Sequence, residues 1–337
     1  MQLVVQKPGT LITQKDECFR LKNRDDRLDL SPLKVESIVI SNQAMISSQA
    51  VVLALEHNID VIFLDGFGDP LGRIWFSKMG STTLIRRKQL EAANNGVGLT
   101  LVRDMIRQKL ENQSRFLKKL MHARPGREDL FRRPVKTIEQ ETEKLALADQ
   151  PPETVGGHIR GLEGASGAAY FQCVSKIMPK KYQFEKRSRR PAGDPFNAAL
   201  NYCYGILYSQ VEKACILSGL DPYVGFLHTD DYNKKSLVFD LIEPFRIFAE
   251  QNAVYLFTGR KMKDEYFDMS DGGVSLNKNG KPVVVDAMNG HLEESVRYRG
   301  RNVKRRHIIR HEAHRMANLL LADEDEDRPD WLEIQEF

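Results

Sequence analysis

The residues best suited to chemistry in this 337-residue chain are three acids and one histidine. Glu163 lies in a run of glycine and alanine, and His228 follows a short apolar stretch. Asp240 and Glu243 are three residues apart, a spacing that puts two side chains on the same face of a helix. Carboxylate and imidazole groups bind divalent metal ions. The set therefore suggests a divalent-metal site, and the basic segments of the chain suggest a polyanion as its substrate.

Each of these residues also has a structural interpretation. A run of small residues such as the one around Glu163 is more often a surface for tight helix packing. His228 fits equally well as a histidine whose hydrogen bonds are satisfied at the rim of a core. Either residue alone is weak evidence, and the metal site is inferred from their occurrence together with the other two acids.

Residues 236–250 predict one helix with its apolar side chains on one side. Asp240 and Glu243 fall on the other side, where they should face solvent or a cleft. Pro244 cannot donate a hydrogen bond to the carbonyl of Asp240, so we expect a bend at the turn that carries both acids. An ordinary solvated helix face is the alternative interpretation.

A second group of histidines is less suited to metal binding. His307, His311 and His314 lie at positions i, i+4 and i+7, which places three imidazoles on one helix face. Four arginines surround this face, and their positive charge disfavours a bound cation. They are Arg305, Arg306, Arg310 and Arg315. The sequence has no HExxH motif. We interpret the face as a nucleic-acid contact or a solvated surface.

Charge is distributed in blocks along the chain, although the formal net charge is only +4. Residues 86–136 contain fourteen Lys and Arg against five acids, residues 176–190 seven against one, and residues 297–315 eight against one. Residues 323–336 reverse the sign, with eight acids against one arginine. Three separate basic segments favour a polyanion as ligand, whereas any single one fits a solvated helix face equally well.

The first 80 residues predict a small sandwich-like β-domain. Short runs rich in β-branched and aromatic residues alternate with turn residues and occupy residues 3–6, 10–14, 18–21, 35–41, 61–65 and 73–77. Ser47 or Ser48 should cap one helix that ends near Asn58. The glycines between the last two runs indicate a hairpin turn.

Residues 81–337 predict a larger, mostly α-helical catalytic domain, which makes the fold class α+β. Apolar residues recur at helical spacing over residues 99–121, and strand signals nearly vanish. Asp194 and Pro195 should begin a helix over residues 196–218, because Asp accepts a free N–H and Pro has none to donate. The longest apolar run, residues 50–55, is far too short to span a membrane, so we expect a soluble, cytoplasmic protein.

Several short motifs, taken in order, resemble the CRISPR-associated integrases of spacer acquisition, the Cas-one family. The resemblance extends from about residue 35 to residue 289 and rests on KLENQ at 109–113, RGLEG at 160–164, RP at 190–191, DPFNA at 194–198, HT at 228–229, DLIE at 240–243 and DGGVSL at 271–276. It implies an N-terminal β-domain, a C-terminal α-domain with the active site, and a homodimer. It also implies assembly with the small ferredoxin-like partner called Cas-two.

The resemblance also implies roles for individual residues. Glu163, His228 and Glu243 match the metal ligands of the family, and Asp240 matches a nearby acid that matters there. Carboxylates favour Mg²⁺ or Mn²⁺, and the imidazole shifts the preference towards Mn²⁺, so we expect either ion as cofactor.

The implied activity is spacer integration, in which the 3′-hydroxyl of a double-stranded DNA protospacer attacks a phosphodiester of the CRISPR repeat. Lys and Arg would hold the DNA backbone whatever its sequence, and those best placed along the chain are Lys186, Arg187, Arg189 and Arg190. Two alternatives stay open. One is a metal-dependent nuclease that uses water at the same ligands, and the other is a non-catalytic DNA-binding assembly subunit.

Overall fold

The structure is a computed structural model that describes residues 2–5, 7–24, 26–35, 37–40, 43–57, 59–64, 70–74, 82–146, 152–227 and 234–322. The chain divides into two compact units, Met1–Gly80 and Ser81–Phe337. A β-rich N-terminal part precedes a mainly helical one, which confirms the predicted α+β class. Within the described ranges, no helix has the length and apolar character that crossing a membrane requires.

The first unit is built from short strands and one helix. The described strands are β1 (Gln2–Val5), β2 (Leu11–Lys15), β3 (Cys18–Lys22), β4 (Arg27–Leu30), β5 (Ser37–Ile40), β6 (Met45–Ile46), β7 (Asp60–Leu64) and β8 (Pro70–Ile74). Helix α1 covers Ser48–Glu56, and the Ser47 side chain accepts a hydrogen bond from the Ala50 N–H at 3.2 Å, which confirms the predicted cap.

Two four-stranded sheets form this unit, in the orders β1-β5-β7-β8 and β4-β3-β2-β6. Ile12 and Phe19 of one sheet and Ile38 and Val61 of the other belong to the same buried core, as expected of a sandwich-like arrangement. Strands β7 and β8 pair antiparallel, as predicted for a hairpin, but the residues between them lie outside the described ranges. The last strand was predicted at residues 73–77, and its described part instead begins at residue 70.

The second unit is mainly helical. Its elements are α2 (Thr82–Asn94), α3 (Val97–His122), α4 (Asp129–Ala146), α5 (Pro152–Ile177), α6 (Pro195–Leu217), α7 (Ser236–Leu241), α8 (Arg246–Thr258), β9 (Phe267–Ser270), β10 (Gly273–Leu276), α9 (Gly280–Glu293), β11 (Ser295–Tyr298), β12 (Arg301–Lys304) and α10 (Arg305–Leu321). Helix α3 confirms the long helix predicted over residues 99–121. Asp194 caps α6 as predicted, because its side chain accepts a hydrogen bond from the Asn197 N–H at 2.8 Å.

The structure corrects the prediction for residues 236–250. The helix expected over residues 236–250 is interrupted, since α7 ends at Leu241 and a 3₁₀ turn at Glu243–Phe245 precedes α8. Pro244 lies inside that turn and has no N–H to continue an α-helix. The sequence signals for strands nearly vanish here, and the structure adds two short hairpins, in which β9 pairs with β10 and β11 pairs with β12.

Candidate metal and DNA site

Glu163 lies on α5 beside an open surface. Its neighbours Gly161, Gly164 and Gly167 have no described atom within 4 Å of the position that a Cβ would occupy. Packing against another helix within the described part of the chain therefore does not account for these three glycines. The Glu163 side chain is 26% exposed, and the small residues leave room for a ligand beside it.

Lys109 brings two of the predicted site residues together. Its Nζ lies 2.5 Å from Oε1 of Glu163 and 2.7 Å from Oε2 of Glu243. Lys109 comes from α3, Glu163 from α5, and Glu243 from the 3₁₀ turn that follows α7. Burial would lower the pKa of Lys109, but Glu243 and Glu163 together raise it above its usual value. The two carboxylates therefore converge on one protonated amine.

Glu243 is buried, at 3% side-chain exposure, between two cations. Oε1 lies 2.8 Å from Nη2 of Arg246, and Oε2 faces Lys109. Burial acts to raise the pKa of Glu243, but Arg246 and Lys109 outweigh it and lower that pKa to about 2. The carboxylate is therefore ionised at neutral pH. Glu243 was predicted to face solvent or a cleft, and this was wrong, because the turn at Pro244 directs the side chain into the interior.

Asp240 is also buried, with no exposed surface, so its predicted exposure was wrong too. Its Oδ2 accepts hydrogen bonds from the backbone N–H of Phe226 at 2.6 Å and of Leu227 at 3.1 Å. Gly225 makes this approach possible, because a Cβ there would lie 2.6 Å from Cβ of Ser236. Asp240 thus fixes the backbone immediately before His228, which itself lies outside the described residues.

Replacing Asp240 by asparagine should lower the free energy of unfolding by about 1.5–3 kcal/mol, because two buried backbone donors lose a charged acceptor. Urea unfolding of both proteins measures the difference. Asp268→Asn, at an exposed position on β9, is the matched control and should leave stability unchanged. An equal change in both variants would contradict this role for Asp240.

A cleft of about 350 Å³ opens beside Glu163, and we call it the Glu163 cleft. It combines acids, cations and aromatic rings, and its lining comprises Lys109, Gln113, Glu163, Gly164, Gly167, Ala168, Phe171, Gln172, Glu185, Lys186, Arg187, Arg189, Tyr204, Arg246 and Glu250. Three of the four cations predicted to bind DNA therefore lie around the same space as Glu163. Arg190 is not among the described residues that line it.

Arg187 differs from its basic neighbours because its guanidinium is hydrogen-bonded to other side chains of the protein. Nη1 donates to Oδ1 of Asn197 at 2.8 Å, and Nη2 donates to Oδ1 of Asn201 at 2.5 Å. The group also lies 5.5 Å from the ring centroid of Tyr204. Lys186 and Arg189 are exposed. Arg187 thus fastens the basic segment to α6, and the exposed pair is better placed to meet a ligand.

Sequence reasoning did not single out Lys109, Arg246 or Glu250 as site residues. Arg246 lies over the ring of Tyr204 at 4.9 Å, and Glu250 accepts hydrogen bonds from the Tyr204 hydroxyl at 2.8 Å and from Gln113 at 3.2 Å. A signal for Lys109 exists, because it falls within the apolar spacing of α3 and so had to point inward. Arg246 follows Glu243 at i+3, a spacing that allows an ion pair.

The described residues contain no group of three His, Cys, Asp or Glu side chains arranged to hold a metal ion. The predicted trio needs His228, so the structure describes two of its three members. On α10, His311 and His314 are exposed, although their rings are partly desolvated. This partial burial lowers the pKa of each histidine, and the positive charge of Arg310 lowers it further.

Comparisons with known proteins give consistent results. The model of a family described as CRISPR associated protein Cas1 matches residues 3–290. A relative from Archaeoglobus fulgidus, named CRISPR-associated endonuclease Cas1 1, is 32% identical over 322 residues, which cover 92% of this chain and 93% of the relative. A casposase solved bound to integration product has a TM-score of 0.79 at 22% identity, covering 100% of this chain and 95% of that one. A Cas6-RT-Cas1–Cas2 complex has a TM-score of 0.78 at 20% identity, covering 99% of this chain and 36% of that one.

The family model and these relatives define the class of protein as the CRISPR-associated proteins. Within that class, this chain belongs to the Cas1 family of CRISPR adaptation. The resemblance predicted from the ordered motifs is thereby confirmed. Hairpin β11–β12 and helix α10 lie beyond the residues that the family model matches.

Proposed function

We propose that this chain is a divalent-metal-dependent DNA integrase that inserts protospacer DNA into a CRISPR repeat. The observation that carries the proposal is the convergence of Glu163 and Glu243 on one cation position beside the Glu163 cleft, in a member of the Cas1 family. Strand joining as the reaction class also agrees with the likeness in fold to a casposase bound to integration product.

The proposed cofactor is Mg²⁺ or Mn²⁺, held by Glu163 and Glu243 with His228 as third ligand. Two observations fit this donor set. The carboxylates already share one cation, and Oε2 of Glu243 is buried without a hydrogen bond of regular geometry from any described residue. A ligand carboxylate must be ionised, as the low pKa of Glu243 provides. Such an ion supplies Lewis-acid chemistry at a phosphoryl oxygen and lowers the pKa of the attacking hydroxyl.

The proposed reaction exchanges one phosphodiester for another. The 3′-oxygen of the protospacer forms a bond to the repeat phosphorus while the bond from that phosphorus to its own 3′-oxygen breaks. The attacking hydroxyl loses its proton, and the leaving oxygen gains one. The number of phosphodiesters does not change, so the step needs no external energy source.

In this scheme the side chains of the cleft hold and orient DNA. Lys186 and Arg189 would contact backbone phosphates, and the aromatic wall of Tyr204 keeps Arg246 fixed beside Glu243. Asp240 orients the backbone before His228 through the N–H groups of Phe226 and Leu227. Phosphate contacts give affinity without sequence reading.

Affinity for duplex DNA should therefore fall steeply with salt, and removing an exposed cation should reduce that dependence. Arg189→Ala should lower the slope of log affinity against log salt concentration by about 1, because one phosphate contact is lost. Fluorescence anisotropy with a labelled duplex measures the slope. Arg24→Ala, an arginine of the first unit, is the control. Equal slopes for Arg189→Ala and the unmodified protein would contradict a phosphate contact at Arg189.

The proposed partners are double-stranded DNA, a second copy of this chain, and a small ferredoxin-like Cas2 protein. The matching fold inside a Cas6-RT-Cas1–Cas2 complex supports the last of these. Light scattering of the purified chain, alone and mixed with Cas2, tests both protein partners.

A branched DNA with a free 3′-hydroxyl at the junction tests the proposed activity. In Mn²⁺ or Mg²⁺ the protein should reseal the flanking strand, and EDTA should abolish the product. Cut ends without resealing would favour a nuclease that uses water. Binding to the branched DNA with neither product would favour an assembly subunit without catalytic activity.

A further inference from the structure

The position between Glu163 and Glu243 is filled by the side chain of Lys109. Its ammonium group lies within 2.7 Å of an oxygen of each carboxylate, and the side chain is only 9% exposed. The remaining oxygen of Glu243 faces Arg246. Each carboxylate thus has a cationic partner that the chain itself provides.

A divalent ion bound between the two carboxylates would compete for the oxygens that Lys109 contacts, Oε1 of Glu163 and Oε2 of Glu243. Mg²⁺ and Mn²⁺ bind carboxylate oxygens at about 2.0–2.2 Å, closer than the present contacts with nitrogen. An ammonium group that stayed in contact with both oxygens would lie against the ion, and two positive charges at such a distance in a buried site repel strongly. The ammonium of Lys109 and a divalent ion therefore exclude one another.

We propose that Lys109 is a resident cation that competes with the divalent ion for Glu163 and Glu243. This inference rests on the proposed function, because it takes the two carboxylates as metal ligands. In the metal-free protein, Lys109 holds the carboxylates together and offsets their mutual repulsion. When a divalent ion binds, the ammonium is released towards the Glu163 cleft, which Lys109 lines. The competition weakens metal binding.

Binding of Mn²⁺ to the full chain without DNA tests the competition, with free Mn²⁺ measured by electron paramagnetic resonance. Lys109→Met should bind Mn²⁺ about 10- to 100-fold more tightly than the unmodified protein, because the competing charge is gone. Lys109→Arg keeps the charge and should bind as weakly as the unmodified protein. Lys119→Met removes an exposed lysine from the same helix and should change nothing. Unchanged or weaker binding by Lys109→Met would overturn the proposal.

Glu163→Gln separates this inference from the proposed function. If the unmodified protein binds Mn²⁺ and Glu163→Gln does not, the metal site stands, and the Lys109 variants alone decide the competition. If Mn²⁺ binds equally well without the Glu163 carboxylate, both the metal site and the competition are wrong.

A second measurement uses the unmodified protein and so does not depend on how a variant folds. Acylation of lysine amines, quantified by mass spectrometry, reports how accessible each ammonium is. Mn²⁺ should raise the labelling rate of Lys109 several-fold and leave that of Lys119 unchanged. A Lys109 rate that Mn²⁺ fails to raise would also overturn the proposal.

Discussion

Glu243→Gln should lower the free energy of unfolding of the metal-free protein by about 3 kcal/mol, which is the largest stability effect expected of any single change at the site. Glu243 is buried between Lys109 and Arg246, so neutralising it leaves two positive charges with less compensation in the interior. In this variant Lys109 still forms its ion pair with Glu163, and Arg246 still donates a hydrogen bond to the Tyr208 hydroxyl. The loss of stability should therefore lie at the lower end of the range for breaking a buried ion pair. Urea unfolding with EDTA present measures the difference.

The same effect should depend on pH. The pKa of Glu243 is about 2 in the folded protein, below its ordinary value of 4.5. Its contribution to stability is therefore present above pH 4.5 and is lost as the pH falls towards 2. The difference between Glu243→Gln and the unmodified protein should be full at pH 7 and shrink below pH 4.5. Glu185→Gln, which removes an exposed acid of the same cleft, is the control. A loss of stability as large in that control would contradict the assignment.

Glu163→Gln should reduce strand joining on branched DNA at least about 1000-fold, which corresponds to roughly 4 kcal/mol of transition-state stabilisation. The amide keeps the shape of the side chain but loses the charge that a divalent ion requires. Glu163 is partly exposed and pairs with one lysine, so the fold should persist. Single-turnover joining in Mn²⁺ measures the rate.

Two controls define the meaning of that loss. DNA affinity of Glu163→Gln should match that of the unmodified protein, since Lys186 and Arg189 remain. Glu185→Gln should join strands within about twofold of the unmodified protein, because the residue lines the cleft and is not one of the proposed metal ligands. Joining by Glu163→Gln at the unmodified rate would mean that the chemistry takes place elsewhere.

Local chemistry explains why much of the fold followed from sequence. The caps at Ser47 and Asp194 depend on a side-chain oxygen and a nearby N–H, and helix α3 depends on spacing, all of which are visible in a short window. Pro244 also acted locally, although it ended the helix where a bend was expected. The hairpins of the second unit are only four residues per strand, too short to give a clear alternating pattern.

The burial of the acids did not follow from sequence, because it depends on partners that are distant along the chain. Asp240 was expected to face solvent or a cleft and instead accepts hydrogen bonds from the backbone fourteen and thirteen residues earlier. Glu243 is buried between Arg246, three residues later, and Lys109, more than a hundred residues earlier, and both compensate its charge. Arg187 was grouped with its basic neighbours as a DNA contact, whereas its guanidinium donates hydrogen bonds to two asparagines of α6. A charge pattern along the chain does not show which cations the fold itself uses.

The most direct test of the central claim is anomalous scattering from crystals of this protein soaked in MnCl₂, recorded at the manganese absorption edge. The account predicts one peak within about 2.3 Å of a carboxylate oxygen of Glu163 and of Glu243, with a nitrogen of His228 as a further ligand and the Lys109 ammonium displaced. A peak at another place in the chain would contradict this prediction. So would the absence of any peak in crystals of protein that joins strands in Mn²⁺.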